Sequence, residues 1–168
     1  MMQKKVQIIS DGSLDLSQEL TKEKDIEVVP FYVSFDSETY QKEMVEVGVR
    51  EFYQEMVDHP TVFPKTSMPS VHDYYEVFEK YAKEQLPVIC ITRKFSGSLQ
   101  SATTAKDMIL EEYPDAQITV IDSTVNTVLQ GLYVLEACRL RDMGLEYQQI
   151  VDALLSIRET GRIFFTIG

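Results

Sequence analysis

Pro87-Val88-Ile89-Cys90-Ile91 is a short uncharged apolar run, and Arg93-Lys94-Phe95-Ser96-Gly97-Ser98-Leu99-Gln100-Ser101-Ala102 follows it almost directly. The first reads as a buried β-strand. From Leu99 to Glu112 the pattern turns amphipathic and reads as a helix. A Ser/Gly-rich turn therefore joins the C-terminal end of a strand to the start of a helix. In an open α/β sheet ligands sit at such turns. Free N–H groups and the helix dipole attract an anion there, and the hydroxyls of Ser96, Ser98 and Ser101 add donors. Gly97 allows close approach of the backbone. The plainer alternative is that Ser98 only caps the helix. The two alternatives stay open on this stretch alone.

The same strand-then-polar-loop pattern occurs on either side. Val6-Gln7-Ile8-Ile9 runs into Ser10-Asp11-Gly12-Ser13, with Ser17 placed as an N-cap for a short helix. Gln117-Ile118-Thr119-Val120-Ile121 runs into Asp122-Ser123-Thr124. Helices are expected over 127–143, stopped by Gly144, and over 147–159, with a last strand over 162–167. Alternating strands and helices predict an α/β fold: a mostly parallel sheet with helices on both faces. Loops beginning at Asp11, Ser96 and Asp122 would then meet at one edge.

Between the first two of these units lies a less regular stretch. Ile26 to Phe35 is strand-like but interrupted by Pro30, so it bends or sits at an edge. Asp36-Ser37-Glu38 fits a hairpin turn, with Thr39-Tyr40-Gln41 returning. Phe52, Tyr53, Met56 and Val57 recur at helical spacing and are expected in the core. Pro60 to Ser70 is expected to be a stiff loop that presents Lys65, Thr66 and Ser67. Ser70 and Asp73 fit a capping box for a helix whose Tyr74, Tyr75, Phe78 and Tyr81 face the sheet.

Composition narrows the function. In 168 residues, Asp plus Glu number 27 against 16 Lys plus Arg, a net charge of -11. There is no basic surplus to neutralise nucleic-acid phosphates or to dock on an anionic membrane. Hydrophobic residues make up 44%, enough for a core. No apolar run approaches the roughly 20 residues of a membrane span. The start, Met1-Met2-Gln3-Lys4-Lys5, reads as leading straight into a strand rather than as a leader. Cys90 and Cys138 fit small buried hydrophobes in a reducing cytoplasm. His59 and His72 lack partners at metal-ligand spacing, so no metal site is expected.

Taken together, five motifs resemble the DegV family of bacterial fatty-acid-binding proteins, which present acyl chains to a fatty acid kinase. They are Ser10-Asp11-Gly12-Ser13-Leu14-Asp15-Leu16, Val28-Val29-Pro30, Lys65-Thr66-Ser67-Met68-Pro69-Ser70, Phe95-Ser96-Gly97-Ser98-Leu99-Gln100-Ser101-Ala102 and Val120-Ile121-Asp122-Ser123. The resemblance implies a Rossmann-like first lobe over residues 1–160 and the start of a second over 161–168, with the chain a fragment of a longer protein. It places Thr66 and Ser96 on the fatty acid carboxylate, aided by Gly97 and Ser98. Asp11, Ser13, Ser67, Arg93, Asp122 and Ser123 are further candidates. The remaining Arg and His of the family's site belong to the second lobe. Ser98 stands where the family usually has Thr, Arg93 where a small Ser is common, and Gly12 where a hydroxyl residue is more common.

The resemblance further implies a cytoplasmic lipid-binding protein with no catalytic residue and no cofactor beyond the bound fatty acid. Its partners are a long-chain fatty acid and the kinase's catalytic subunit, without nucleic acid or stable membrane insertion. Burial of about 15 CH₂ groups at about 0.8 kcal/mol each gives roughly 12 kcal/mol before binding costs. The tail would then set affinity and the hydroxyls orientation. Two other functions compete: a hydrolase with Ser96 or Ser98 as nucleophile, and a non-catalytic interaction domain.

Overall fold

The structure is a computed structural model that describes residues 4–164 and Thr166. Its centre is a four-stranded sheet built from β1 (Ile8–Asp11), β2 (Ile26–Val29), β6 (Gln85–Cys90) and β7 (Gln117–Asp122). The order is β2-β1-β6-β7 and every pair is parallel. Parallel strands need crossovers, and the helices that supply them cover both faces. Alternation along each strand divides the core between them. Ile8, Ile89 and Ile121 pack with α5 (Thr127–Asp142) and α6 (Tyr147–Ile157). Ile9, Val88 and Cys90 pack on the other face with Tyr74 and Phe78 of α3 (Val71–Lys80) and Ala102, Ala105 and Ile109 of α4 (Ser98–Glu112). The α/β class, the parallel sheet and the two helical layers are therefore as the sequence pattern indicates.

Pro87 lies inside β6, a central strand, where a missing N–H normally breaks a rung. Gln85 N donates to Lys5 O, so residues two apart from it face β1 as well. The β1–β6 ladder accordingly begins past Pro87, at Ile9 opposite Val88. Gly144, at φ 85°, stops the chain after α5 as expected.

The stretch interrupted by Pro30 splits between two sheets. β2 is an edge of the parallel sheet, whereas β3 (Tyr32–Ser34) is the middle strand of a small antiparallel sheet of order β4-β3-β5. β4 (Gln41–Lys42) returns from the expected hairpin. β5 (Lys65–Ser67) corrects the expectation of an irregular loop: Thr66 stands opposite Val33 in a ladder. The flanking prolines exclude a helix but leave those three residues free to pair at an edge. The strand expected over 162–167 is absent at 162–164, where the backbone is irregular; residues 165, 167 and 168 lie outside the described residues.

A second correction concerns α2 (Val49–Asp58). Its apolar side is not core: Val49, Tyr53 and Val57 are 50%, 60% and 70% exposed. Helical periodicity reports a face, but not what covers it. Here that face looks across an open cleft rather than onto the sheet, and Phe52 meets the ring of Phe35 at 5.2 Å.

The capping box of α3 forms as expected. Ser70 Oγ accepts from Asp73 N at 3.1 Å and Asp73 Oδ2 accepts from Ser70 N at 2.8 Å. Asp73 also takes the Tyr32 hydroxyl at 2.8 Å and Lys42 Nζ at 3.0 Å, tying α3 to the small sheet. Burial alone would raise the Asp73 carboxyl. The bonds from Ser70, Lys42 and Tyr32 outweigh it and hold the carboxyl below its usual range. A depressed folded value stabilises above the unfolded pKa of about 3.9 and is lost as pH falls through the folded value. Asp73→Ala is expected to cost about 2 kcal/mol near neutral pH. Urea titrations from pH 7 to pH 3 should show a shallower acid loss in the variant than in the native chain.

Candidate functional site

The turn after β6 is held from three sides. Asp11 Oδ2 accepts from Ile91 N at 2.8 Å, Thr92 N donates to Val125 O at 2.9 Å, and Phe95 and Ser96 donate back to Thr92 O. The loops starting at Asp11, Ser96 and Asp122 therefore do converge at the C-terminal edge of the sheet. Ser96 Oγ accepts from Ser98 N at 3.1 Å, which makes Ser96 the side chain that caps α4. The alternative in which Ser98 caps is set aside: Ser98 is the first helical residue and Gly97 precedes it. Because Ser96 Oγ accepts there, its O–H is free to donate outward. The N–H groups of Gly97, Leu99 and Gln100 have no acceptor among the described residues. One outward hydroxyl and three N–H groups at the positive end of a 15-residue helix suit a carboxylate.

Beneath this turn lies a buried polar chain. Ser98 Oγ donates to Asp11 Oδ2 at 2.8 Å and takes the Tyr74 hydroxyl at 2.6 Å. Tyr74 also lies 3.5 Å from Cys90 Sγ. Gln130 Nε2 donates to Asp11 Oδ1 at 2.8 Å, and Ser13 N to the same oxygen at 3.2 Å. Burial pushes the Asp11 carboxyl up, against the pull of these donors. Burial likewise pushes the Tyr74 and Cys90 groups well up. Asp11 and Ser98 are fully buried, and their side chains bond to each other and hold the turn.

Thr66 lies on the other side of the turn. Met68 rests against Gly97, where an added Cβ would sit 2.6 Å from its Sδ, so β5 and the Ser/Gly turn are neighbours. Thr66 is exposed, its hydroxyl is unbonded among the described residues, and it borders a cleft of about 1140 Å³. The cleft runs between β2, β3, α1 (Gln18–Glu23) and α2, walled by Leu14, Val28, Val33, Val47 and Phe52. Ser96 does not line it.

The further candidates separate by position. Ser67 is on the opposite face of β5 from Thr66, the side of Tyr32. Ser13 Oγ accepts from Thr127 N at 3.4 Å. Ser123 is buried, its hydroxyl turned to Val125 O at 3.1 Å. Asp122 accepts from Thr124 N at 2.9 Å and faces Arg93 Nε at 3.8 Å. Arg93 is 78% exposed and reaches the same edge as Ser96. His59 and His72 lie on the surface beside Glu55 and Glu76, and the carboxylate within reach of Ser98 Oγ is that of Asp11. Among the described residues there is no cluster of three His, Cys, Asp or Glu side chains suited to a metal, and no helix is long and apolar enough to cross a membrane.

Three contributors escaped the sequence pattern. Gln130, mid-helix in α5, carried no signal of its role over Asp11. Met68 sits within the Lys-Thr-Ser motif, where nothing in its spacing marks the contact with Gly97. Glu43 lies in a stretch of mixed charge, yet its side chain enters the cleft.

The arrangement defines a class: a parallel α/β lobe with an apolar cleft and, at the C-terminal edge of its sheet, a Ser/Gly turn with free N–H groups. The chain belongs to the DegV family, whose model, described as "Uncharacterised protein, DegV family", matches residues 5–168. It is 34% identical over 153 residues to a DegV domain-containing protein of Clostridium acetobutylicum, covering 90% of this chain and 53% of that one. It is 46% identical to the stearic-acid-binding protein of Eubacterium ventriosum, with a TM-score of 0.82 over 89% of this chain and 52% of the other. The fatty acid kinase B3 protein of Streptococcus pneumoniae, solved with linoleic acid, is 25% identical with a TM-score of 0.78, over 92% and 54% of the two chains. The chain thus spans about half the length of the relatives it matches.

Proposed function

We propose that this chain is the first lobe of a cytoplasmic, non-catalytic carrier that binds a long-chain fatty acid and presents its carboxylate to a fatty acid kinase. The observation that supports this best is an apolar cleft bordered by Thr66, with Met68, two residues further on, resting against Gly97 of the Ser/Gly turn. The cleft of about 1140 Å³ has ample room for an acyl chain. Thr66, Ser96 and the N–H of Gly97 hold the carboxylate, and Arg93 adds a cation at the same edge. The fatty-acid-bound relatives support the ligand class, and the kinase-associated relative supports the partner. The relatives are about twice as long as this chain, and a second lobe in that further length would complete the head-group site, with the lipid as the only small molecule bound.

Delipidated chain titrated with stearic acid, with stearyl alcohol as the control, tests the reading. Stearic acid is expected to bind in a 1:1 ratio, and the alcohol to bind more weakly, because the apolar term is shared and only the acid uses the turn. Lack of any saturable binding by either ligand would overturn it. Addition of a fatty acid kinase catalytic subunit and ATP to the loaded chain then tests presentation, with acyl phosphate as the expected product.

A further inference from the structure

Glu43 follows β4, and its side chain turns back into the wall of the cleft. Its Oε1 accepts from Phe31 N at 3.1 Å, and its own N–H donates to Phe31 O at 3.0 Å. Gly12 makes the room: a Cβ on Gly12 would overlap Glu43 Oε1 and press on its Cδ. Only one carboxyl oxygen is occupied. Oε2 has no hydrogen-bond partner among the described residues, and it is not sealed inside the protein either. The cleft that Glu43 borders is mainly apolar, with Leu14, Val33, Val47 and Phe52 in its lining, while Asp15, Gln18 and Glu19 line it too. A plain hydrocarbon laid against Oε2 would remove its water and return nothing, which is unfavourable. A ligand atom able to bond there would recover the loss.

We propose that the cleft is shaped for an acyl chain bearing a hydroxyl group, and that Glu43 is the residue that recognises that hydroxyl. The proposal rests on the cleft being the acyl site. A hydroxyl is the fitting partner because it donates to a carboxylate and accepts from a carboxylic acid, so it serves Glu43 in either protonation state. Burial pushes the Glu43 carboxyl up, and the nearby charges of Asp11 and Asp15 push it further. Those same charges make the spot hostile to a second carboxylate, which separates hydroxy acids from dicarboxylic acids as ligands.

Titration of the delipidated chain with stearic acid and with hydroxystearic acids, the hydroxyl moved stepwise along the chain, tests this. One position, or two adjacent ones, is expected to bind about tenfold tighter than stearic acid. Glu43→Gln keeps an acceptor for Phe31 N and a group for the hydroxyl, so it should retain the preference. Glu43→Leu should abolish it and tighten stearic acid itself. Gly12→Ala should also abolish it, by displacing the carboxyl while leaving Glu43 in place, and it decides the matter if the leucine variant fails to fold. Equal affinity for plain and hydroxylated acids at every position would overturn the proposal, as would a preference that survives Gly12→Ala. If neither kind of acid binds, the assignment of the cleft to acyl chains fails, and this proposal with it.

Discussion

Replacing Asp11 by alanine is expected to lower the unfolding free energy by about 3–5 kcal/mol, the scale for breaking a buried charged network from one side. The carboxylate collects Ile91 N, Ser98 Oγ, Gln130 Nε2 and Ser13 N, and its removal leaves three of them without an acceptor and Gln130 Nε2 with Ser10 Oγ alone. Asp11→Asn should cost only about 1 kcal/mol. Its amide oxygen can serve Ile91 and Ser98, and its NH₂ can meet Gln130 Oε1, which is buried without a partner in the native chain. Ser13 N is then left bare, and the Gln130 amide, turned over to present Oε1, gives up the Ser10 bond. The pair also reads the titration of Asp11. Burial raises its folded pKa, so its favourable contribution is complete below the unfolded value of about 3.9 and fades as pH rises through the folded value. Urea midpoints measured from pH 3 to pH 8 should fall through that window in the native chain and stay flatter in Asp11→Asn. A fully tolerated Asp11→Ala would show that the network does not hold the sheet edge together.

Thr66→Val combined with Ser96→Ala is expected to weaken fatty acid binding on the order of a hundredfold. Each hydroxyl bond to a charged carboxylate is worth about 1.5–3 kcal/mol, and tenfold corresponds to about 1.4. Valine keeps the shape and strand preference of Thr66 opposite Val33, so the small sheet should survive. Alanine at position 96 removes the acceptor for Ser98 N, but the Asp11 and Tyr74 bonds to Ser98 Oγ still hold the helix start. The matched fatty alcohol is the internal control, since it shares the tail but not the charge. Equal losses for acid and alcohol would point to a damaged cleft rather than a lost head-group site, and no loss for either would remove both residues from the ligand.

Much of this was legible beforehand for a simple reason. Strand-to-helix turns announce themselves through composition, because apolar runs end abruptly in Ser, Asp and Gly. Hence Ser17 and Ser70 cap where expected, Asp11 and Ser96 meet at one edge, and Tyr74 and Phe78 pack beneath the sheet. Elsewhere periodicity misled. The apolar side of α2 looked like core and turned out to border a cleft, because spacing records a stripe and not its partner. Lys65-Thr66-Ser67 looked like loop and became a strand, because an edge position needs only one neighbour and tolerates prolines beside it.

The sequence by itself determined the strands and helices of the parallel sheet, the turn that carries Ser96, and the DegV membership, each read from short stretches of chain. Only the tertiary structure decided which polar groups face inward. Ser98 and Asp11 look as available as Ser96 in the sequence, yet Gln130, more than a hundred residues from Asp11, and Tyr74 take them up. The same holds for Glu43, which enters the cleft because Gly12, distant in sequence, has no side chain in the way. Whether a hydroxyl or carboxyl is spent on the protein or left for a ligand is settled by contacts between distant segments, and local pattern carries no record of them.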